Sequence, residues 1–103
     1  ADVVQVVENL TRLSGHLVAR EAHPHRPGWD VVVVRIDDAG PVADKADLLS
    51  RYKGGDLSVA FRSELLVGAS PGARLTFRAR LTSNGVLAEP HPGDGDLLIN
   101  PHP

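Results

Sequence analysis

Pro71-Gly72-Ala73-Arg74-Leu75-Thr76-Phe77-Arg78-Ala79-Arg80-Leu81-Thr82-Ser83-Asn84-Gly85-Val86-Leu87 is the stretch whose reading decides the fold. After the Pro-Gly turn, Leu75, Phe77, Ala79 and Leu81 fall on one face of an extended chain. Thr76, Arg78, Arg80 and Thr82 fall on the other. Period-two alternation bounded by turn residues predicts a half-buried antiparallel strand with one wet face. Asn84-Gly85 then reverses the chain into a second arm over 86–89. A two-residue Asn84-Gly85 loop would set Arg80 opposite Glu89, whereas a three-residue bulged loop, 83–85, would set Leu81 opposite Leu87. Burying a leucine contributes about 1.5–3 kcal/mol, and an exposed ion pair contributes about 0–1 kcal/mol. The bulged loop is therefore expected.

Working outward, Val3, Val6, Val7, Leu10 and Leu13 recur at three- and four-residue spacing, and Asp2 stands in a capping position. This spacing predicts an N-terminal amphipathic helix, residues 1–12, although valine is a poor helix former and a strand is the competing reading. A first strand is expected over 13–22, broken by the His23-Pro24-His25-Arg26-Pro27-Gly28 loop. A second strand over 29–36 carries four consecutive valines. Val32, Val34 and Ile36 take one face, and Trp29, Val31, Val33 and Arg35 take the other. A strand apolar on both faces is usually covered on both, here by the N-terminal helix or by a second copy of the chain. Residues 37–41 read as a loop, and 44–52 as a short inserted helix started by Asp44 and stopped at Gly54-Gly55. A third strand is expected over 57–62 and a helical turn over 63–67. Pro90 and Pro92 end the hairpin, and the Gly/Pro-rich tail, 91–103, is expected to be loosely held, with a short edge strand over 97–99.

The totals bound the class. The chain has 103 residues, 42% of them hydrophobic and 23% charged, enough for one domain with a single core. A net charge of −2 offers no global positive field for nucleic acid, so any such contact must be local. The absence of cysteine excludes disulfides, thiolate metal sites and cysteine nucleophiles. No run approaches the roughly 18 apolar residues that span a bilayer, and no secretory leader pattern is visible, so the expectation is a soluble, cytoplasmic protein with no membrane partner.

Five short strands, a helical turn between the third and fourth, and a hairpin joining the last two form one layout over residues 13–90. That layout, with its Pro-Gly-x-Arg-Leu-x-Phe…Asn-Gly-Val-Leu pattern, resembles the oligonucleotide/oligosaccharide-binding (OB) fold, a small five-stranded Greek-key barrel. The connection over 37–56, with its own helix, departs from the simpler members, and SH3-like and other small barrels share parts of the layout. The fold class expected is mainly β, a five-stranded antiparallel OB-like barrel with an N-terminal helix and a short inserted helix.

Several motifs fail on their chemistry. Gly68-Ala69-Ser70-Pro71-Gly72 spells the G-x-S-x-G nucleophile elbow, which needs an oxyanion-hole N–H on the residue after the serine. Pro71 has none. His16, His23 and His25 include a pair spacing usable by a metal, but a closed site takes three or four ligands with supporting partners. Gly93-Asp94-Gly95-Asp96 lacks the spaced acids of an EF-hand. Asn9-Leu10-Thr11 is a glycosylation sequon by pattern alone.

Trp29, Arg35, Arg62, Arg78 and Arg80 are the candidate ligand-binding residues. Arginines gathered on one barrel wall can hold phosphates, and an aromatic beside them can stack a base. Arg74 stands near them, and Asp56, Glu64 and Glu89 neutralise part of such a patch. The expected function is a non-catalytic binding module, without cofactor or metal, for single-stranded nucleic acid or a protein partner. The alternative is a protein-interaction or homodimerisation domain using the valine strand and the N-terminal helix.

Overall fold

The structure is a computed structural model that describes residues 8–101. Its order is β1 (Thr11–Ala22), β2 (Trp29–Pro41), a 3₁₀ turn (Ser50–Tyr52), β3 (Asp56–Arg62), a 3₁₀ turn (Ser63–Leu66), β4 (Arg74–Thr82), β5 (Gly85–Ala88) and β6 (Leu98–Asn100). The strands run β1-β2-β3-β5-β4, and β4 returns to pair with β1, closing a five-stranded barrel. This is an OB-like small barrel with β6 added against β4. The sheet is mixed rather than antiparallel. β3 and β5 run parallel through Val59–Val86 and Ala60–Leu87. Strand alternation leaves this unreadable, because it sets the face of each side chain but not its neighbour's direction.

Closure depends on β1, which pairs with β2 along one edge and with β4 along the other. Its register against β2 slips at Ser14/Gly15 and again at Leu17/Ala19. Such irregularities bend a strand and increase its twist. Gly15 stands at the first slip, buried, where a Cβ would lie 2.0 Å from the carbonyl oxygen of Arg35. Only glycine allows that approach.

The alternation read from the sequence holds inside the barrel. Leu75, Phe77 and Ala79 of β4, Val32, Val34 and Ile36 of β2, and Leu57, Val59 and Phe61 of β3 are buried, with Leu81 half-buried against them. Phe61 and Phe77 meet edge to face, centroids 5.0 Å apart, a favoured aromatic geometry.

Four expectations are corrected. No α-helix stands among the described residues. Of the N-terminal helix expected over 1–12, residues 1–7 lie outside the described residues; Asn9 bridges to Ala46, and Thr11 opens β1. Thr11 and Leu13 alternate inward with Arg12 outward, so the two ladders available to β1 outweigh a weak helical periodicity. The inserted helix shrinks to the Ser50–Tyr52 turn. Asp44 sits at φ 65°, outside helical space, and Asp47 accepts from Leu49 N–H and Ser50 N–H, at 3.3 and 3.1 Å, to brace the turn instead. β2 runs through 37–41, expected to be a loop, because Thr11–Ser14 supply its ladder.

The hairpin follows neither expected register. Thr82 pairs with Gly85 and Leu81 with Val86, leaving Ser83 and Asn84 at the tip with Gly85 at φ 111°. The Thr82 hydroxyl donates to Gly85 C=O and accepts from Asn84 N–H, at 2.8 and 3.1 Å, which fixes the turn one residue earlier. Leu87 accordingly faces out opposite Arg80, and Glu89 N–H reaches Arg78 C=O. No helix among the described residues is long and apolar enough to cross a membrane.

Gly15→Ala is expected to remove about 3 kcal/mol or more, because backbone must move to admit the methyl. Gly40→Ala, with open space around its Cβ, should change stability by less than about 1 kcal/mol. Urea unfolding of the two variants checks this, and equal midpoints would contradict it.

Candidate functional site: an arginine belt around the barrel

Cross-strand register assembles the site. Trp29 on β2 stands directly opposite Arg62 on β3, and both point outward, since their inward neighbours Val32, Val34, Phe61 and Val59 are buried. The Arg62 guanidinium donates to Pro90 C=O at 2.8 Å and meets His91 Nδ1 at 3.1 Å, just beyond β5. Glu89, one residue earlier, takes Arg78 of β4 in a bidentate pair, both N···O distances 2.6 Å. Arg78 in turn stands opposite Arg12 of β1. The row Trp29, Arg62, Glu89, Arg78, Arg12 therefore crosses all five strands of the closed barrel or their direct extensions, winding round its outer wall. Arg80 projects from the same face of β4 one step along, exposed, with no ionic, hydrogen-bonded or ring partner among the described residues.

Of the five residues expected at the site, Trp29, Arg62, Arg78 and Arg80 share this wall. Arg35 does not. It lies at the middle of β2, six residues or about 20 Å along the strand from Trp29, and its Nε donates to Asp56 at 2.5 Å. That hydrogen bond, then the charge of Asp56, pushes the Arg35 guanidinium further up. Arg74 is likewise occupied, by Asp37 at 3.2 Å.

Sequence reasoning missed three contributors. Arg12 was assigned to a helix, although Thr11-Arg12-Leu13-Ser14 already alternates in phase with β1. Arg26 sits in the proline loop with its guanidinium 4.7 Å above the Trp29 ring, a cation–π stack that orients the indole. Asp96, expected in a loosely held tail, reaches Arg78 at 3.2 Å. The tail is tied down by that contact, by Leu97 against the core, and by the β6 ladder onto Arg74, Leu75 and Thr76.

The belt's charges are partly neutralised. Five guanidiniums, Arg12, Arg26, Arg62, Arg78 and Arg80, face three carboxylates, Glu64, Glu89 and Asp96. That leaves a local excess of two positive charges on a chain of net −2. The Glu89 hydrogen bonds, opposed by desolvation, hold Arg78 above the usual arginine range.

A half-buried polar hub fixes the end of the barrel where Trp29 and Arg62 stand. Arg20 Nε donates to Asp30 at 2.6 Å, and its Nη1 donates to Leu66 C=O and Ala69 C=O at 2.6 and 3.0 Å. Ser63 Oγ donates to the other Asp30 oxygen at 2.8 Å. Burial pushes the Asp30 carboxyl up, but the Ser63 hydroxyl and then Arg20 outweigh it, and the carboxyl lies below its ordinary range. Asp47 is lowered as well, chiefly by Ser50, against desolvation.

A groove of about 750 Å³ opens beside the belt, between Arg80 and Leu87 on one side and Leu10, Val42 and Ala43 on the other. It exists because β1 leaves β4 after Thr11. There the Asn9 side chain takes over the ladder, donating to Leu81 C=O at 3.0 Å and accepting from Leu81 N–H at 2.7 Å.

The histidines do not converge. His16 Nδ1 lies 2.8 Å from Asp37 near the middle of β1, six residues short of its end at Ala22. The rings of His23 and His25 pack 6.5 Å apart beyond that end. Among the described residues no group of three His, Cys, Asp or Glu is placed to hold a metal. Gly68 and Gly72 flank Ser70 at φ 80° and 95°, in a turn that leads from Leu66 to β4. Comparison with protein-family models, with curated proteins and with solved structures finds no match to this chain.

Depressed carboxyls stabilise the fold above their unfolded value near 3.8 and release that stability as pH falls through the lower folded value. Stability should therefore hold from neutrality down to about pH 4 and fall below it. Asp30→Asn should lower stability at pH 7 and flatten the acid limb. Urea midpoints across pH measure both, and an unchanged acid limb in Asp30→Asn would contradict the assignment.

Proposed function

We propose that the chain is a non-catalytic binding module that takes single-stranded nucleic acid along the Trp29–Arg62–Arg78–Arg12 belt. The observation that carries this reading is the cross-strand row itself, which sets one indole and several guanidiniums on a continuous outer wall. Guanidiniums suit phosphate oxygens in bidentate geometry, and an indole face accepts any base. The excess of two positive charges predicts modest affinity with a marked salt dependence.

Homodimerisation through the valine strand has less support. Both edges of β2 are already paired, to β1 and β3, so a second copy could meet only the outer face of Val31 and Val33, which is half-buried in the single chain.

Fluorescence anisotropy with a labelled single-stranded oligodeoxynucleotide of about 12 residues tests the proposal. Binding should weaken with added salt with a log–log slope near −2, the value for about three phosphates released from a single strand. Trp29→Ala and Arg62→Ala should each weaken binding about fivefold or more, while Arg35→Ala leaves it unchanged. No binding at low salt, or equal effects of Arg35→Ala and Arg62→Ala, would overturn the proposal. A doubled solution mass by light scattering without oligonucleotide binding would favour the dimer.

A further inference from the structure

One segment contacts three of the belt's guanidiniums, although Arg62 keeps a separate ion pair with Glu64. Residues 89–96 leave β5, loop outward and return into β6, both strands lying on the same edge of β4. Within this loop Gly95 C=O accepts from Arg12 at 3.5 Å. Pro90 C=O and His91 take Arg62, and Glu89 and Asp96 together take Arg78. Three guanidiniums on three different strands are thus held by acceptors from a single excursion. Arg80, the next cation along β4, is reached by none of them.

At Arg78 the chemistry of these contacts is that of a bound anion, whereas Arg12 and Arg62 meet neutral acceptors. A carboxylate gripping Nε and Nη2 at 2.6 Å on both oxygens presents to Arg78 the two-oxygen edge that a phosphodiester presents. Anchoring is confined to the ends of the segment. Glu89 N–H is tied to Arg78 C=O at 3.0 Å, and Leu97 packs against the core. Between them Gly93, Asp94 and Gly95 are exposed, with Gly95 at φ 81°. Exchanging the carboxylates for another anion leaves the β6 ladder and the Leu97 contact in place.

We propose that residues 89–96 act as an internal anionic strap that occupies the belt and is exchanged for the phosphates of the ligand. This rests on the nucleic-acid reading of the belt and assigns its regulation. A polyanion first meets unpartnered Arg80, then takes Arg78 from Asp96 and Glu89, and then reaches Arg62 and Arg12. An isolated small anion cannot engage the row at once, so the strap selects for extended polyanions.

Asp96→Asn tests the strap against Asp38→Asn, which removes the same charge from an exposed pair with Lys53 outside the belt. In oligonucleotide anisotropy at low salt, Asp96→Asn should bind about threefold to fivefold more tightly than Asp38→Asn, because one half-buried ion pair no longer holds Arg78. Glu89→Gln should act in the same direction. Equal affinities of Asp96→Asn and Asp38→Asn would overturn the strap and leave the belt reading standing. If the wild type, Asp96→Asn and Glu89→Gln all fail to bind, the belt reading falls and the strap with it. Hydrogen exchange of the wild-type chain supplies a readout that needs no variant. Amides in 90–96 should exchange faster with oligonucleotide bound, and slower exchange there would overturn the proposal.

Discussion

The contact between Gly15 and the Arg35 carbonyl is the constraint on which the barrel depends. At that point β1 is paired with β2 on one edge and β4 on the other while its register against β2 slips, and the backbones of β1 and β2 approach until no side chain fits between them. Every outward side chain on β1 and β4 takes its position from this bend. Had β1 stayed straight, it would pair with β2 alone, and Arg12 would not stand opposite Arg78. Hence a buried glycine sets the geometry of the wall on which the arginine belt stands.

The belt shows how limited energies still produce organisation. An exposed ion pair contributes about 0–1 kcal/mol, whereas each fully buried side chain of the Phe61–Phe77 core contributes about 1.5–3 kcal/mol. The ion pairs therefore do not hold the barrel together; the core does. What they determine is where guanidiniums point and what occupies them. The Arg20–Asp30–Ser63 hub is half-buried like the Arg78–Glu89 pair, and differs in that Arg20 also donates to the Leu66 and Ala69 carbonyls, so that removing one partner disturbs several hydrogen bonds at once. It makes a rigid base under Trp29 and Arg62. The strap of residues 89–96, by contrast, uses contacts weak enough to exchange.

Much of the barrel was legible in local pattern. Alternation at 75–81 and at 32–36 identified the buried faces, and Pro-Gly and Asn-Gly marked the ends of the hairpin. The pairing partners were not legible, because period two is silent on neighbours, and the parallel β3–β5 contact is a tertiary choice. The hairpin register escaped because Thr82 supplies a side-chain turn that competes with the Asn84-Gly85 signal. At 8–12 the helical spacing, and at 44–52 the capping residues, pointed away from the observed structure, since Thr11 and Asp47 bond to each other at 2.8 Å and serve the barrel's connections instead. Four of the five site residues share a wall because outward alternation on β3 and β4 was read correctly. Arg35 also faces outward as read, but six residues of β2 separate it from Trp29. Arg12, Arg26 and Asp96 were hidden in segments assigned to a helix, a loop and a loosely held tail.

The central claim is that one continuous wall, from Trp29 across β3, β5 and β4 to Arg12, receives the ligand. A nitrogen–proton NMR titration of the whole chain with a single-stranded oligodeoxynucleotide tests it most directly. The account predicts perturbation of the Trp29 indole N–H and of the amides of Arg62, Glu89, Arg78 and Arg12, with those of Arg35 and Asp56 unmoved. Perturbation centred on Arg35 and Asp56, or no change at low salt, would contradict it.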